Sequence, residues 1–258
     1  MGIYDTENSV MTSFDADFIP EEQLQAQWAE FIELKKIIAE QFSIKKRPLS
    51  ILDIGIGSAR IVKHLSPIKE IWDLIGNYDG IDNAIPCINI SKKVVADLNI
   101  GDKVSVGFLE ADQLNTLPNK YDLIITTWFT AGNFYPENFP FGTYKDSGKK
   151  FDLTSNERFE KIFSTSYNLL LPEGEVVLGA CYIDNENTRK KQEDFYIKLG
   201  MTIITDALDT FTATKEKFWS QRFTKERMCN YFSFVSPEKV IFTPLDTYNY
   251  AMQVRIKK

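Results

Sequence analysis

Ile51, Leu52 and Ile54 form a short apolar run that meets Gly55 and Gly57, and a helical pattern opens near Arg60. An apolar run without polar alternation predicts a parallel strand covered on both faces, and this places the chain among the α/β layer architectures. Glycines at the end of such a strand permit a tight turn and a close backbone approach, so the turn reads as a nucleotide site at a helix start. Asp53 narrows the ligand. A carboxylate two positions before the first glycine is badly placed against a pyrophosphate, but it can accept hydrogen bonds from an ammonium group. Arg60 stands where the dinucleotide fingerprint has its third glycine, which also argues against a dinucleotide. The plainer reading is a bare strand-to-helix turn in which Asp53 caps a helix or stabilises the structure.

The pattern repeats down the chain. Tyr78, Asp79, Gly80 and Ile81 lead to Asp82 and Asn83, a second strand ending in an acid after the length of one helix and one strand. Positions 104–109 alternate and run into Glu110, Ala111, Asp112 and Gln113, positions 121–127 read as a fourth strand followed by Trp128, and positions 169–179 as a turn and a fifth strand. This order of motifs, over positions 45–182, resembles the class I S-adenosylmethionine-dependent methyltransferases, and the tail resembles them less specifically. The resemblance implies a Rossmann-like α/β fold: a seven-stranded, mostly parallel sheet with a C-terminal antiparallel hairpin, helices on both faces and a helical and aromatic cap. It implies S-adenosyl-L-methionine as cofactor and S-adenosyl-L-homocysteine as product. Asp53 would face the ammonium group directly or through water, with Gly55, Gly57 and Ser58 forming the turn against the ligand. Asp82 and Asn83 would serve the ribose hydroxyls, Asp112 and Gln113 the adenine, and Thr127 and Trp128 the methionine half.

A chain of 258 residues is sized for a single such domain. We divide it into an N-terminal lid and helix (1–44), a cofactor-binding core (45–182) and cap elements with a closing hairpin (183–258). Pro20, Glu21 and Glu22 open a helix whose apolar face is Leu24, Trp28, Phe31, Ile38 and Phe42, expected on the sheet edge. Ile85, Ile88, Val95 and Leu98 supply the face of a helix after Asp82. Further helices are expected at 156–170, 186–199 and 223–232, a strand at 201–205, and hairpin strands at 239–243 and 248–256.

Charge and special residues exclude several classes. A net charge of −6 argues against a nucleic-acid partner, which clustered Lys and Arg would have to hold. The small basic patches Lys149-Lys150 and Arg189-Lys190-Lys191 read as solvated surface. No apolar run approaches the roughly 18 residues of a membrane span, and the N-terminus lacks the order of a signal peptide, which points to a cytoplasmic protein. Cys87, Cys181 and Cys229 are odd in number and widely spaced, so neither disulfides nor a metal site is expected. The single histidine, His64, falls in the helix after the glycine turn and reads as structural.

The acceptor is to be read from whatever covers the cofactor. Phe129, Phe134, Tyr135, Phe139, Phe141, Tyr144 and Phe151 cluster after the fourth strand, in a chain only 13% aromatic. That segment lies beyond the carboxyl ends of the strands, where it can wall an acceptor pocket or simply anchor a long loop. Tyr4, Phe14 and Phe18, together with Phe218, Trp219 and Phe223, are expected to close over the same mouth. Transfer from a sulfonium needs positioning more than a base, and Asn133 and Tyr135 are the candidate catalytic residues that would orient the nucleophile. The expected function is methyl transfer to a small-molecule acceptor, with nitrogen slightly favoured over oxygen because no obvious base is present. The alternatives are an enzyme of the same fold that acts on the cofactor itself by intramolecular alkyl transfer, or one that methylates a protein side chain.

Overall fold

The computed structural model describes residues 3–13, 19–148 and 150–258; Phe14, Phe18 and Lys149 lie outside the described residues. In chain order the elements are α1 (Glu7–Ser13), α2 (Glu21–Lys45), β1 (Leu49–Ile54), α3 (Arg60–Leu65), α4 (Lys69–Trp72), β2 (Ile75–Asp82), α5 (Ile85–Asp97), β3 (Val104–Phe108) and β4 (Tyr121–Thr126). There follow α6 (Tyr144–Ser147), α7 (Glu157–Leu169), β5 (Leu170–Tyr182), α8 (Glu186–Lys198), β6 (Phe211–Ala213), β7 (Trp219–Gln221), α9 (Lys225–Tyr231), β8 (Val240–Pro244) and β9 (Ala251–Lys257).

Seven strands form one sheet in the order β3-β2-β1-β4-β5-β9-β8. The first five are parallel, and β9 runs antiparallel to both β5 and β8. The chain therefore winds outward from β1 to β3 and then returns to β4 on the other side of β1. This reversal opens a crevice at the carboxyl ends of β1 and β4, the place where open α/β sheets bind ligands. Both faces of the central strands are covered, which explains their continuous apolar character. Leu52 and Ile54 pack with Phe159 and Phe163 of α7 and Tyr231 of α9, whereas Ile51 packs with Leu34 and Ile38 of α2 and Ile61 of α3. Among the described residues no helix is long and apolar enough to cross a membrane.

Several local expectations are corrected. Helix α2 contacts β1, β5 and β9 and so lies across a face of the sheet, not at its edge. Its buried side carries Gln23, Ala26, Glu30, Phe31, Leu34, Ile37, Ile38 and Gln41, while Trp28 is 56% exposed beside Phe31 and His64. In α5 the buried residues are Cys87, Ile88, Ser91 and Val95, and both Ile85 and Leu98 are exposed. Phe31 and Ile38 of α2 and Ile88 and Val95 of α5 are buried as expected, while small and polar residues fill the close contacts that Trp28, Ile85 and Leu98 do not reach. Positions 201–205 make only an isolated bridge between Ile203 and Thr214, and the strands of the cap are instead the three-residue pair β6 and β7.

The aromatic segment after β4 divides between two tasks. Phe139, Tyr144, Phe141 and Phe151 form a separate cluster with Phe211 and Trp219 of the cap hairpin. Phe139 meets the Trp219 ring edge-on at 4.7 Å, and Phe211 stacks on Trp219 at 3.9 Å. Loop and hairpin thus fold as one unit, which answers the need of a long loop to bury something of its own. Phe129 stacks on Tyr182 at 3.7 Å, and Phe223 joins the main core. Of the aromatic rings of the segment, Phe134 and Tyr135 line the crevice.

Candidate active site

The glycine turn is held from three sides. Gly55 and Gly57 both adopt positive φ (78° and 58°), the region in which a β-carbon is strained. The Gly55 and Ile56 amides donate to the Ile81 carbonyl at 2.8 and 3.0 Å, and the Ser91 hydroxyl donates to the Gly57 carbonyl at 2.6 Å. The Gly57 amide donates to one oxygen of Asp82 at 3.0 Å, and the Ala84 amide donates to the other at 2.9 Å. Asp82 at the end of β2 is therefore fixed by the very turn it faces. Burial raises its pKa above the usual carboxylate range, against the opposing pull of these two amides.

A crevice of about 320 Å³ opens over this turn. Of the residues expected there, Gly55, Gly57, Ser58, Asp82, Asn83, Thr127, Trp128, Asn133 and Tyr135 all line it. Three stand elsewhere. Asp112 sits in a six-residue 3-10 helix beyond β3 and pairs with Arg158 at 2.9 and 2.8 Å. Gln113 points to solvent. Glu110, two residues earlier, lines the crevice and accepts from the Asn83 amide at 3.1 Å. Two acids two positions apart offered no way to choose between them by sequence, because the choice depends on where β3 ends and the chain turns.

Asp53 shares the α2 side of the sheet with Ile51 and lies behind the crevice wall. It is buried, its Oδ2 accepts from the Tyr78 hydroxyl at 2.6 Å, and its Oδ1 has no partner. Burial pushes its pKa up to about 7; Tyr78 and Arg60 pull it down, and the neighbouring Glu30 and Asp82 push it further up. An acid ionising near 4 in the unfolded chain and near 7 in the folded one holds an extra proton on folding between those values. Stability from this site is accordingly present at low pH and lost as the pH rises from about 4 to about 7. Asp53→Asn, which still offers an acceptor to Tyr78, is expected to unfold at a higher temperature than the natural chain at about pH 8 and nearer to it at about pH 5. Thermal unfolding at the two values checks this, and a constant difference between the proteins would refute it.

The β4 end of the crevice rests on a buried triad that the sequence did not reveal. Glu30 of α2 is fully buried; its Oε1 accepts from the Trp128 amide at 2.9 Å and its Oε2 from the Arg60 guanidinium at 2.5 Å. The Arg60 guanidinium in turn lies 5.3 Å from the Trp128 ring centre, within cation–π range. Trp128 and Phe129 take left-handed conformations (φ 54° and 61°), costly for bulky residues. Glu30 accepts the amide of the first of them and so fixes the turn. Gly179 on β5 is the complement, since a β-carbon there would stand 2.3 Å from the Glu30 carboxylate.

The acceptor side is closed by aromatic and amide groups. Tyr4 and Asn133 both line this side, and the Tyr4 ring approaches Phe218 at 6.2 Å. Burial, with Cys87 and Asp82 nearby, holds this phenol well above the usual tyrosine range. The Tyr135 ring lies 5.2 Å from the Arg158 guanidinium, and Phe218, Trp219 and Lys217 come from the cap hairpin. His64 packs between Trp28 and Phe31, outside the crevice, where burial lowers its pKa. Among the described residues no group of His, Cys, Asp and Glu is arranged to hold a metal ion.

No family model and no curated protein matches the sequence. Solved structures do match in fold. The CcbJ methyltransferase of Streptomyces caelestis aligns with a TM-score of 0.59 at 10% identity, covering 98% of this chain and 97% of its own. Magnesium protoporphyrin IX methyltransferase of Synechocystis, solved with S-adenosylhomocysteine, gives 0.58 at 11%, covering 99% and 96%. The 1,6-didemethyltoxoflavin-N1-methyltransferase of Burkholderia thailandensis, with the same product bound, gives 0.54 at 11%, covering 97% and 84%. Strand order, closing hairpin and full-length superposition together give this chain the fold of the S-adenosylmethionine-dependent methyltransferases.

Proposed function

We propose that the chain is an S-adenosylmethionine-dependent methyltransferase acting on a small-molecule acceptor, with nitrogen favoured over oxygen. The observation that carries this reading is the Asp82 carboxylate, fixed by the Gly57 and Ala84 amides at the rim of the glycine turn. A carboxylate so held has remaining lone pairs for a vicinal diol, which is the ribose requirement. The rest of the crevice fits the cofactor as well. Gly55 and Gly57 keep the turn free of side chains, Glu110 and Asn83 stand beyond Asp82, and Thr127 and Trp128 line the opposite end. Asp53, with one buried and unpartnered oxygen behind the turn, would reach an ammonium group through water.

When bound, the cofactor supplies a methyl group already activated by the sulfonium charge. What the chain must add is alignment and exclusion of water, and well-held geometry is worth on the order of 7 to 11 kcal/mol. Asn133, through its amide, and Tyr135, through its ring, face the space where an acceptor would lie. No histidine lines the crevice among the described residues, which favours a nucleophile that arrives with a free lone pair.

Incubation with methyl-labelled S-adenosylmethionine and a metabolite extract tests the reading: label is expected in a new small molecule. Cofactor consumption without a labelled product would indicate chemistry on the cofactor itself, and label in protein would indicate a side-chain acceptor. Gly57→Val offers an independent check. A branched side chain at φ 58° is strained and enters the crevice, so the variant is expected to fold yet lose S-adenosylhomocysteine binding by at least about tenfold in calorimetry. Normal binding by this variant would remove the turn from the site.

A further inference from the structure

Beside the crevice lies a second cavity of about 30 Å³, and the two spaces share Tyr4, Trp128, Asn133 and Phe218 as lining. The inner wall is built of rings that hold one another in place. Phe129 stacks on Tyr182 at 3.7 Å, Tyr196 meets Phe218 at 4.9 Å, and Phe195 meets Tyr196 at 5.5 Å. Its polar groups are amides and hydroxyls. Gln23, 1% exposed, accepts from the Tyr182 and Tyr250 hydroxyls at 3.2 and 3.3 Å. The Ser13 hydroxyl donates to the Val10 carbonyl at 2.6 Å. Among the described residues lining this inner cavity none carries a formal charge.

We propose that this cavity is the reacting end of the acceptor site and that it takes the edge of a neutral planar ring bearing an uncharged amine nitrogen. The body of the ring would lie against Tyr135 and Phe218 in the outer crevice. The inference rests on the methyltransferase reading and deepens it.

Three physical arguments select this class. A space of about 30 Å³ holds roughly two water-sized groups, so only a small substituent enters. Aromatic walls locked by mutual packing suit a flat partner at little entropic cost. A carboxylate, phosphate or ammonium group would be desolvated here without a counter-charge, which is costly. The cations of the outer crevice do not change this: Arg60 is committed to Glu30, Arg158 to Asp112, and Lys217 is exposed at the rim. A phenol would have to lose its proton before attack, and among the described residues the inner cavity offers neither histidine nor carboxylate to take it; a carboxylic acid arrives already ionised and meets the desolvation cost instead. Tyr4, Tyr182 and Tyr196 are themselves held protonated by burial. An amine needs no prior deprotonation. Its lone pair forms the new N–C bond as the C–S bond breaks, the bonding pair stays on sulfur to leave a neutral thioether, and the N–H proton then passes to water.

The test uses the intact chain. Calorimetry with S-adenosylhomocysteine alone comes first, and failure there overturns the cofactor reading, not the choice of acceptor. The saturated protein is then titrated with three probes that share one naphthalene ring: 2-aminonaphthalene, 2-naphthol and 2-naphthoate. The amine is expected to bind at least about tenfold more tightly than the carboxylate. With S-adenosylmethionine it alone is expected to be methylated, at a rate that is flat between about pH 7 and 9 because the amine is neutral throughout. Methylation of the naphthol or naphthoate at a comparable rate overturns the proposal, as does S-adenosylhomocysteine binding with no binding of the amine. Ser13→Leu fills the inner cavity and is expected to weaken the amine by at least about fivefold while S-adenosylhomocysteine binding stays within about threefold. Unchanged amine affinity in this variant places the acceptor elsewhere. Phe218→Ala, read the same way, keeps the location testable where the leucine variant does not fold.

Discussion

Glu30→Ala is expected to lower stability by about 3 to 5 kcal/mol, the usual consequence of removing one partner from a buried ion pair. The substitution leaves the Arg60 guanidinium, whose side chain is 10% exposed, without its carboxylate, and leaves the Trp128 amide without its acceptor. It also opens space beside Gly179, which accommodates that carboxylate. At roughly 2 to 4 °C per kcal/mol for a domain of this size, the melting temperature should fall by about 6 to 20 °C. Glu30→Gln separates the two contributions, because its amide oxygen still accepts from Trp128 while the charge is gone. It should fall between the two proteins, and its tryptophan fluorescence should follow the natural chain more closely than that of Glu30→Ala. Denaturation midpoints decide the matter. A loss below about 1 kcal/mol for Glu30→Ala would mean that the triad is no more than an exposed pair in energy.

Asp82→Ala should weaken S-adenosylhomocysteine at least tenfold. Each hydrogen bond to a charged group is worth about 1.5 to 3 kcal/mol, two ribose hydroxyls are at stake, and every 1.4 kcal/mol is a factor of ten. The variant also frees the Gly57 amide, so the turn itself loses one restraint. Asp82→Asn tells these effects apart: it keeps an acceptor for one backbone amide but removes the charge and half of the acceptor capacity. An intermediate affinity is expected from it. Calorimetry on proteins shown to be folded provides the measurement, and an unchanged dissociation constant in Asp82→Ala would remove this residue from the cofactor site.

The two residues differ in how far their positions could be read in advance. Asp82 ends a strand, and both the strand and its terminal acid follow from periodicity over a few neighbouring residues. Glu30 lies inside a long helix, where an acid reads as surface charge. Its partners, Trp128 and Arg60, are 98 and 30 residues away, and no local pattern joins them. The same limit governs the aromatic segment. Its composition placed rings beyond β4, yet only packing against Phe211 and Trp219 determined that Phe139, Phe141, Tyr144 and Phe151 face the cap while Phe134 and Tyr135 face the crevice. Asp112 shows a finer version: a turn of one 3-10 helix presents Glu110 to the crevice and gives Asp112 to Arg158.

What the sequence determined by itself was the set of features that depend on neighbours along the chain. These are the buried parallel strands, the turn that only glycine enters cheaply at Gly55 and Gly57, the acid closing β2, and the helix starts. The seven-stranded sheet and its closing hairpin were expected from the resemblance that the order of these motifs carries, and the structure supplied the strand order. The tertiary structure alone decided which charged groups are buried and paired, that α2 lies across a face of the sheet and not at its edge, and which rings enclose the acceptor space. These outcomes depend on side chains that meet only after the sheet has formed. Their energies come from desolvation and close packing between distant segments, and a local pattern of residue types carries no record of either.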